Sequence, residues 1–182
     1  TDLNIVITQL MQSLGLQFDP HSKTFEDLKK NLRYGRIVCM KDADTDGSAI
    51  MGLLLNFFYA KFKSLLEIEV DGEYYNFFNE FITPQIQVVT KLNSKEEFYN
   101  KVEFLSWYDD NNNNIKSIKY LKGLASNSAE DTLRYFKNFD NFLIPIRVDK
   151  QSDYYMNMAY SGNKTEVELR KQWVQTCTED TY

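Results

Sequence analysis

The segment that decides the fold reads Arg36-Ile-Val-Cys-Met-Lys41-Asp42-Ala-Asp44-Thr-Asp46-Gly47-Ser48. A short apolar run, typical of a buried strand, leads into three aspartates that alternate with other residues, and then into a glycine. Carboxylates at this spacing repel one another, so they need cations or a rim position where a metal ion can bind them. The pattern predicts a magnesium-binding pair of carboxylates at the carboxyl end of a sheet strand.

The residues that follow Gly47 predict a buried helix directly after the acidic loop. Apolar side chains recur there at helical spacing and form one wide face, which comprises Ile50, Leu53, Leu54, Phe57, Phe58, Phe62, Leu65 and Leu66. A strand, an acidic loop and a helix make up half of a doubly wound unit. In such units ligands bind outside the carboxyl ends of the strands.

The acidic loop has two other possible interpretations. A calcium-binding helix-loop-helix requires a glutamate at its twelfth position, where this chain has Leu53, and a helix before Asp42, where it has a strand. Alternatively, Asp44 or Asp46 merely caps the next helix, and we expect Asp46 to have a substantial capping role. Capping does not explain three crowded aspartates, which favours a metal site.

Composition limits the function classes. The 182 residues correspond to about one domain, and a hydrophobic content of 43% is enough for a real core. With a net charge of -5, the surface as a whole does not resemble that of a nucleic-acid-binding protein, so any DNA contact requires a local basic patch. Cys39 and Cys177 form neither a zinc site nor a disulfide framework. We find no apolar run long enough for a membrane span and no signal peptide.

Periodicity and capping signals predict the remaining elements. We expect helices over 3–16, ending at Gly15, over 25–32 with Thr24 as its cap, and over 128–139 with Ser128 as its cap. Further helices are expected over 102–107, 153–159 and 166–176. Strands are expected over 77–90 with an interruption at Pro84, at 98–99, over 115–121 and over 142–148. Turns are expected at 19–23 and 71–72, and a solvated loop over 109–114. The chain begins at Thr1 within a helical pattern, so we expect it to be a fragment of a longer protein.

Several sequence blocks resemble one known family. Leu32-Arg33-Tyr34-Gly35-Arg36-Ile37, followed by Asp42-Ala-Asp44-Thr-Asp46-Gly47-Ser48, is similar to the metal-binding Toprim segment of type IIA DNA topoisomerases. Further similar blocks follow in the family's order: Asn79-Glu80-Phe81-Ile82-Thr83-Pro84, Tyr120-Leu121-Lys122-Gly123-Leu124, the helix over 130–136, and Arg170-Lys171-Gln172-Trp173. The Phe-Ile-Thr-Pro and Arg-Lys-x-Trp elements favour the eukaryotic and viral branch over bacterial gyrase.

The resemblance implies an α/β fold. We expect a small, Rossmann-like parallel Toprim sheet flanked by helices, without its first strand, and a C-terminal α+β extension. Residues 1–148 would form the Toprim domain with the family's insertion. Residues 149–182 would form a helical lead into the DNA-binding winged-helix region.

The resemblance also implies a function. The chain would be part of an ATP-dependent topoisomerase in which Mg²⁺ supports transient double-strand DNA cleavage and religation. By position, Asp42 and Asp44 would be the metal ligands, and Asp46 a secondary ligand or an orienting residue. The nucleophilic tyrosine and the ATP-binding domain would lie outside this chain, so the fragment alone would be inactive. Expected partners are double-stranded DNA and the second subunit of a homodimer, with no membrane. We expect an intracellular, nuclear protein, with a viral or organellar origin left open.

Four residues beside the two matching loops are candidate DNA contacts: Arg33, Arg36, Lys122 and Gly123. The alternative for the basic side chains is ordinary solvated surface.

The chain also departs from the family's pattern. It lacks the upstream Glu-Gly-Asp-Ser motif that supplies the third metal ligand. Lys41 replaces the usual threonine or serine, and Ala49 and Met51 stand where the family has a histidine and a basic residue. Ala125 replaces the last glycine of Lys-Gly-Leu-Gly. Lys41 could compensate for lost phosphate contacts, or could neutralise the aspartates by direct ion pairing. A second hypothesis is therefore a degenerate, non-catalytic Toprim-like scaffold that binds DNA or a partner.

Overall fold

A computed structural model describes residues 4–17 and 24–176. The helices are α1 (Ile5–Leu14), α2 (Phe25–Lys29), α3 (Thr45–Phe62), α4 (Lys101–Asn111), α5 (Ala129–Lys137), α6 (Ser152–Tyr160) and α7 (Lys164–Thr176). The strands are β1 (Ile37–Met40), β2 (Glu69–Val70), β3 (Glu73–Tyr74), β4 (Phe78–Phe81), β5 (Ile86–Thr90), β6 (Lys95–Phe98), β7 (Ile115–Tyr120) and β8 (Leu143–Pro145). The predicted turn over 19–23 and Cys177 lie outside the described residues.

The first sheet has the order β1-β4-β8 and contains the strand that leads into the acidic loop. Strands β1 and β4 are parallel, with Ile37 opposite Phe78 and Met40 opposite Phe81. Strand β8 runs antiparallel on the other side of β4. Parallel pairing requires a long crossover, which α3 and the β2–β3 hairpin provide. The predicted α/β class is confirmed.

Helix α3 packs the main core against this sheet. The Phe58 side chain is completely buried, and its ring lies 5.1 Å from that of Phe78 on β4. The prediction that the whole apolar face of α3 is buried is wrong at Ile50 and Leu53, which are 60% and 62% exposed. An 18-residue helix is roughly 27 Å long, whereas a four-residue strand covers only about 13 Å. The short sheet therefore cannot cover the full length of the helix.

Capping residues fix several boundaries as the sequence predicts. Helix α1 ends at Gly15, which takes the left-handed φ of 77° that glycine accepts without strain. Thr24 and Ser128 cap α2 and α5 through their side-chain oxygens. The expected turn at 71–72 joins β2 to β3.

The second sheet is antiparallel, with the order β6-β5-β7, and α4 packs on it through Phe104. The predicted solvated loop over 109–114 is wrong. Helix α4 continues to Asn111, where the side-chain amide donates to the Trp107 carbonyl, and a 3₁₀ turn over Asn112–Asn114 follows. The polar side chains of this segment therefore lie on a helix and a 3₁₀ turn and not on a loop.

Helices α6 and α7 are fastened to each other and to α3. The Arg170 guanidinium on α7 donates to the carbonyls of Met158 and Ala159 at 2.8 Å, where the last turn of α6 leaves its carbonyls without helical partners. The Tyr160 hydroxyl lies so close to Gly52 on α3 that a Cβ there would collide with it. Glycine at this position therefore permits the close approach of α6.

An ionic cluster ties α5 to the second sheet. The Asp131 carboxylate, only 4% exposed, accepts from Lys95 Nζ at 2.5 Å and from Ser128 Oγ at 2.7 Å. Arg134 and Gln87 both donate to Glu97 on β6, at 2.5 and 2.9 Å. Burial raises the pKa of Asp131, but hydrogen bonds from Lys95, Ser128 and Gln87 outweigh it, so its pKa lies below the ordinary value.

Replacing Asp131 by asparagine should destabilise the protein by about 2 kcal/mol at neutral pH, because Lys95 loses its partner and the buried cluster loses its charge balance. The depressed pKa makes this stabilisation complete above 3.8, the ordinary pKa of the carboxyl group. It is lost as the pH falls further, because the unfolded chain then binds a proton that the folded protein does not. Urea unfolding of both proteins should show a difference at neutral pH that shrinks in acid.

The matched control is Asp110→Asn, on an exposed part of α4. It should leave the free energy of unfolding unchanged at both pH values. Equal stability of the wild type and Asp131→Asn at neutral pH would contradict the role assigned to the cluster.

Candidate metal centre at the end of β1

Asp42 lies two residues beyond β1 and contacts a distant loop. Its Oδ1 accepts a hydrogen bond of 2.9 Å from the Leu124 main-chain N–H, 82 residues away in sequence. A Cβ on Gly123 would lie 2.7 Å from the same oxygen, so any larger residue would displace the carboxylate from this position. The structure thus brings together the two loops that the sequence singled out.

Asp44 caps the helix that follows. Its Oδ1 accepts from the Gly47 main-chain N–H at 2.7 Å, and the Ser48 hydroxyl donates to its carbonyl at 3.1 Å. The prediction that Asp46 caps α3 is therefore wrong, because α3 begins at Thr45 and places Asp46 in its first turn. A capping side chain must come from the extended residue just before the helix. The negative charge of Asp46 is still favourable at this end of the helix dipole.

The donor set fits a magnesium ion held by two carboxylates. Asp42 and Asp44 each use Oδ1 for a main-chain N–H, and within residues 4–17 and 24–176 no hydrogen bond or ion pair is made by either Oδ2. Over the same ranges no group of three or more His, Cys, Asp or Glu side chains gathers as a metal site. Mg²⁺ suits two carboxylates, since it keeps several waters and binds through one or two such groups. The roles of Asp42, Asp44 and Asp46 as ligands stay a prediction.

Lys41 does not neutralise the aspartates in this structure. Its Nζ lies 2.9 Å from Glu80 Oε1, and the two side chains are only 12% and 20% exposed. The register of the parallel pair explains the contact, because Glu80 on β4 is the partner of Cys39, two residues before Lys41. The half-buried Cys39 thiol lies between charged neighbours, and burial and the Glu80 charge raise its pKa.

The four predicted DNA contacts fall into two separate groups. Arg33 and Arg36 precede β1, and Arg36 makes an exposed ion pair of 2.8 Å with Asp140. Lys122 and Gly123 lie beyond the carboxyl end of β1, next to Asp42. Lys122 is exposed, and none of the ion pairs found between described residues involves it. Of these four residues, Gly123 therefore lies against the acidic loop, and Lys122 is its exposed neighbour in the chain.

Two contributors to the site were missed from sequence. One is the Leu124 N–H, since a main-chain donor leaves no mark on residue type, although the neighbouring Gly123 signals a close approach. The other is Glu80, which lies in the segment over 79–84, had no predicted role, and forms an ion pair with Lys41.

The chain is similar to known proteins over most of its length. A family model described as the C-terminal associated domain of TOPRIM matches residues 81–182. DNA topoisomerase 2 of Drosophila melanogaster is 37% identical over 173 residues, which are 94% of this chain and 11% of that protein. DNA topoisomerase 2-alpha of Rattus norvegicus is 35% identical over 179 residues, which are 97% of this chain and 11% of that protein. The chain spans about a tenth of the length of these relatives.

A solved structure shares the fold. The crystal structure of the Plasmodium falciparum topoisomerase II DNA-binding, cleavage and re-ligation domain matches with a TM-score of 0.79 and 31% sequence identity. The match covers 95% of this chain and 22% of that one. Separately, no helix within the described residues is both long and apolar enough to cross a membrane.

A double-mutant cycle should locate the partner of Lys41. Lys41→Met and Glu80→Gln should each lower the free energy of unfolding by about 1 kcal/mol, with a coupling energy of about 1 kcal/mol, because each change leaves a poorly solvated charge unpaired. A second cycle with Lys41→Met and Asp44→Asn should show no coupling. Chemical denaturation of all variants provides the values, and stronger coupling to Asp44 than to Glu80 would refute the assigned pair.

Proposed function

Since the chain belongs to the type IIA DNA topoisomerase family, with residues 81–182 in the C-terminal associated domain of TOPRIM, we propose that it is the metal-binding Toprim part of a longer, ATP-dependent enzyme. That enzyme would cleave and religate both strands of DNA so that another duplex can pass. The observation that carries the proposal is the meeting of the acidic loop with the loop over 122–124, at Asp42 and Leu124.

The residues of this chain would bind and orient. Asp42 and Asp44 would hold Mg²⁺ through their Oδ2 atoms, because Oδ1 of each is taken by a main-chain N–H. Asp46 would act through a bound water or by orienting its neighbours. A divalent cation supplies charge neutralisation on phosphate oxygens. Lys122, exposed beside Asp42, would contact the DNA backbone, and Arg33 and Arg36 would contact a more distant part of it.

Other components would come from outside the chain. The nucleophilic tyrosine, the ATP-binding domain and a further metal ligand are expected elsewhere in the full protein, so the isolated chain would be inactive. The full protein would act as a homodimer on double-stranded DNA, in the nucleus or another intracellular compartment. Within this chain, we propose that residues 1–148 form the Toprim unit with its insertion and that residues 149–182 lead into the DNA-binding region.

A second candidate function is a non-catalytic scaffold that binds DNA or a partner subunit. Its support is the environment of the departing residues. Met51 is 6% exposed and packs in the main core, so its side chain does not reach a phosphate. Ala49 is exposed in the first turns of α3 but has no donor to offer. Lys41 is occupied by Glu80. None of these three residues would then offer a phosphate contact, which favours a module that binds without catalysing cleavage.

Magnesium titration of this chain separates the two functions. We expect Mg²⁺ to shift the main-chain amide NMR signals of residues 41–48 and 122–124, with millimolar affinity. Asp42→Asn and Asp44→Asn should each weaken binding by about tenfold or more, because the site loses a ligand charge. Asparagine still accepts the hydrogen bond and caps a helix well, so the fold should persist.

Asp110→Asn, in an exposed part of α4, is the matched charge control and should bind Mg²⁺ like the wild type. If millimolar Mg²⁺ moves no signal in the acidic loop, the metal-binding function is excluded and the scaffold is favoured.

The full-length parent provides the test of activity. Relaxation of supercoiled DNA should be lost with Asp42→Ala and with Asp44→Ala, because cleavage requires the cation that they hold. The same protein carrying Asp110→Ala should relax DNA normally. Normal cleavage by both Asp42→Ala and Asp44→Ala would disprove the proposed roles.

A further inference from the structure

We propose that the turn over 123–126, here called the Leu124 turn, is a positioning element that fixes the Asp42 carboxylate and thereby sets the metal affinity of the site. The proposal rests on the metal-binding function given above. Gly123 and the Leu124 N–H are positioning residues rather than ligands. They would connect the second sheet, on which the turn is mounted, to the metal centre on the first.

The identity of Gly123 points to a requirement for space. Its backbone is extended, with φ at -156° and ψ at 168°, a conformation that any residue adopts. A Cβ at this position would lie 2.7 Å from Asp42 Oδ1 and 2.9 Å from Asp42 Cγ. Glycine is therefore explained by the carboxylate that lies against it. A larger side chain would displace the end of the Asp42 side chain and leave the backbone of the turn in place.

The Leu124 N–H is held rigidly because the turn is braced from several sides. Within the turn, the Ser126 N–H donates to the Gly123 carbonyl at 2.9 Å. The Lys119 ammonium on β7 donates to the Ser126 carbonyl at 2.8 Å. The side-chain amide of Asn127 donates to the Leu124 carbonyl at 3.1 Å. The Leu124 side chain packs in the cluster built on Phe81, Tyr135 and Phe142.

The brace continues into α5. The Tyr135 hydroxyl donates to Asn127 Oδ1 at 3.1 Å, and Tyr135 is itself 2% exposed. A change in the position of β7 or α5 would therefore move the Leu124 N–H, which donates to Asp42. With Oδ1 fixed, the orientation of Oδ2 is set before any cation arrives, which is how groups behind a ligand raise metal affinity.

A proline substitution tests the contribution of the Leu124 N–H separately from that of the Leu124 side chain. Leu124→Pro removes the donor, and the local backbone accepts proline because Gly123 is extended and Leu124 opens a 3₁₀ turn. Leu124→Ala is the matched control, since it removes the same packing but keeps the N–H. Gly123→Ala is a second, independent variant that displaces the carboxylate while keeping the donor.

Mg²⁺ affinity of each variant is measured by NMR titration of the acidic-loop amides. Leu124→Pro and Gly123→Ala should bind about tenfold more weakly than the wild type, as expected when a group that orients a ligand is lost. Leu124→Ala loses one packing contact of the turn but keeps the N–H and the hydrogen bonds of the turn, so its affinity should fall by about threefold at most, clearly less than that of Leu124→Pro. Wild-type affinity in Leu124→Pro, or an equal loss in Leu124→Ala, would overturn the proposal.

A readout without metal keeps the test independent of the proposed function. In the absence of Mg²⁺, the Leu124 amide should exchange its hydrogen about tenfold faster in Asp42→Ala than in the wild type, because its acceptor is gone. The Ser126 amide, which donates to the Gly123 carbonyl, should exchange unchanged. If the wild type binds no Mg²⁺ but this exchange difference is found, the metal function fails and the contact stands. If the Leu124 amide exchanges at the same rate in Asp42→Ala as in the wild type, the hydrogen bond to Asp42 does not form and the proposal fails.

Discussion

The parallel pairing of β1 and β4 is the constraint on which the rest of the structure depends. Because the two strands run in the same direction, their carboxyl ends meet at one rim of the sheet. That rim carries Asp42 and Asp44 at the end of one strand. The same register places Glu80 on the neighbouring strand where it can hold Lys41. The crossover that parallel pairing demands is α3, and Asp44 caps its first turn. Strand direction, acidic loop and helix are consequences of one arrangement.

The acids of this protein are stabilised in two ways. The net charge is -5, and two shielded carboxylates, those of Asp131 and Glu80, are paired with the ammonium groups of Lys95 and Lys41. Asp42 and Asp44 are bound instead by neutral main-chain donors. A main-chain N–H is neutral, so it stabilises a carboxylate without cancelling its charge, and the proposed cation would supply the counter-charge. The sequence departure at Lys41 is accommodated without loss of that property.

Sequence patterns predicted the parts whose causes are local. Strand β1, the glycine end of α1 and the Thr24 and Ser128 caps all follow from neighbouring residues. The errors arose where a distant or main-chain group decides. Asp46 was favoured over Asp44 as the cap because residue type alone does not reveal which aspartate is extended. The exposure of Ile50 depends on how far the sheet reaches under α3, and the partner of Asp42 is an amide 82 residues away.

The contacts of α6 have a mechanical consequence. Tyr160 lies on Gly52 near the middle of α3, and Arg170 fastens α7 to the carbonyl end of α6. Asp153 at the start of α6 also accepts hydrogen bonds from Tyr59 and Lys63 at the end of α3, so α6 is held to α3 at two places and to α7 through Arg170. A force on α7 would be transmitted through α6 to α3, the helix that Asp44 caps, without passing through either sheet. Such a force would change the geometry of the acidic rim through a small rotation of α3.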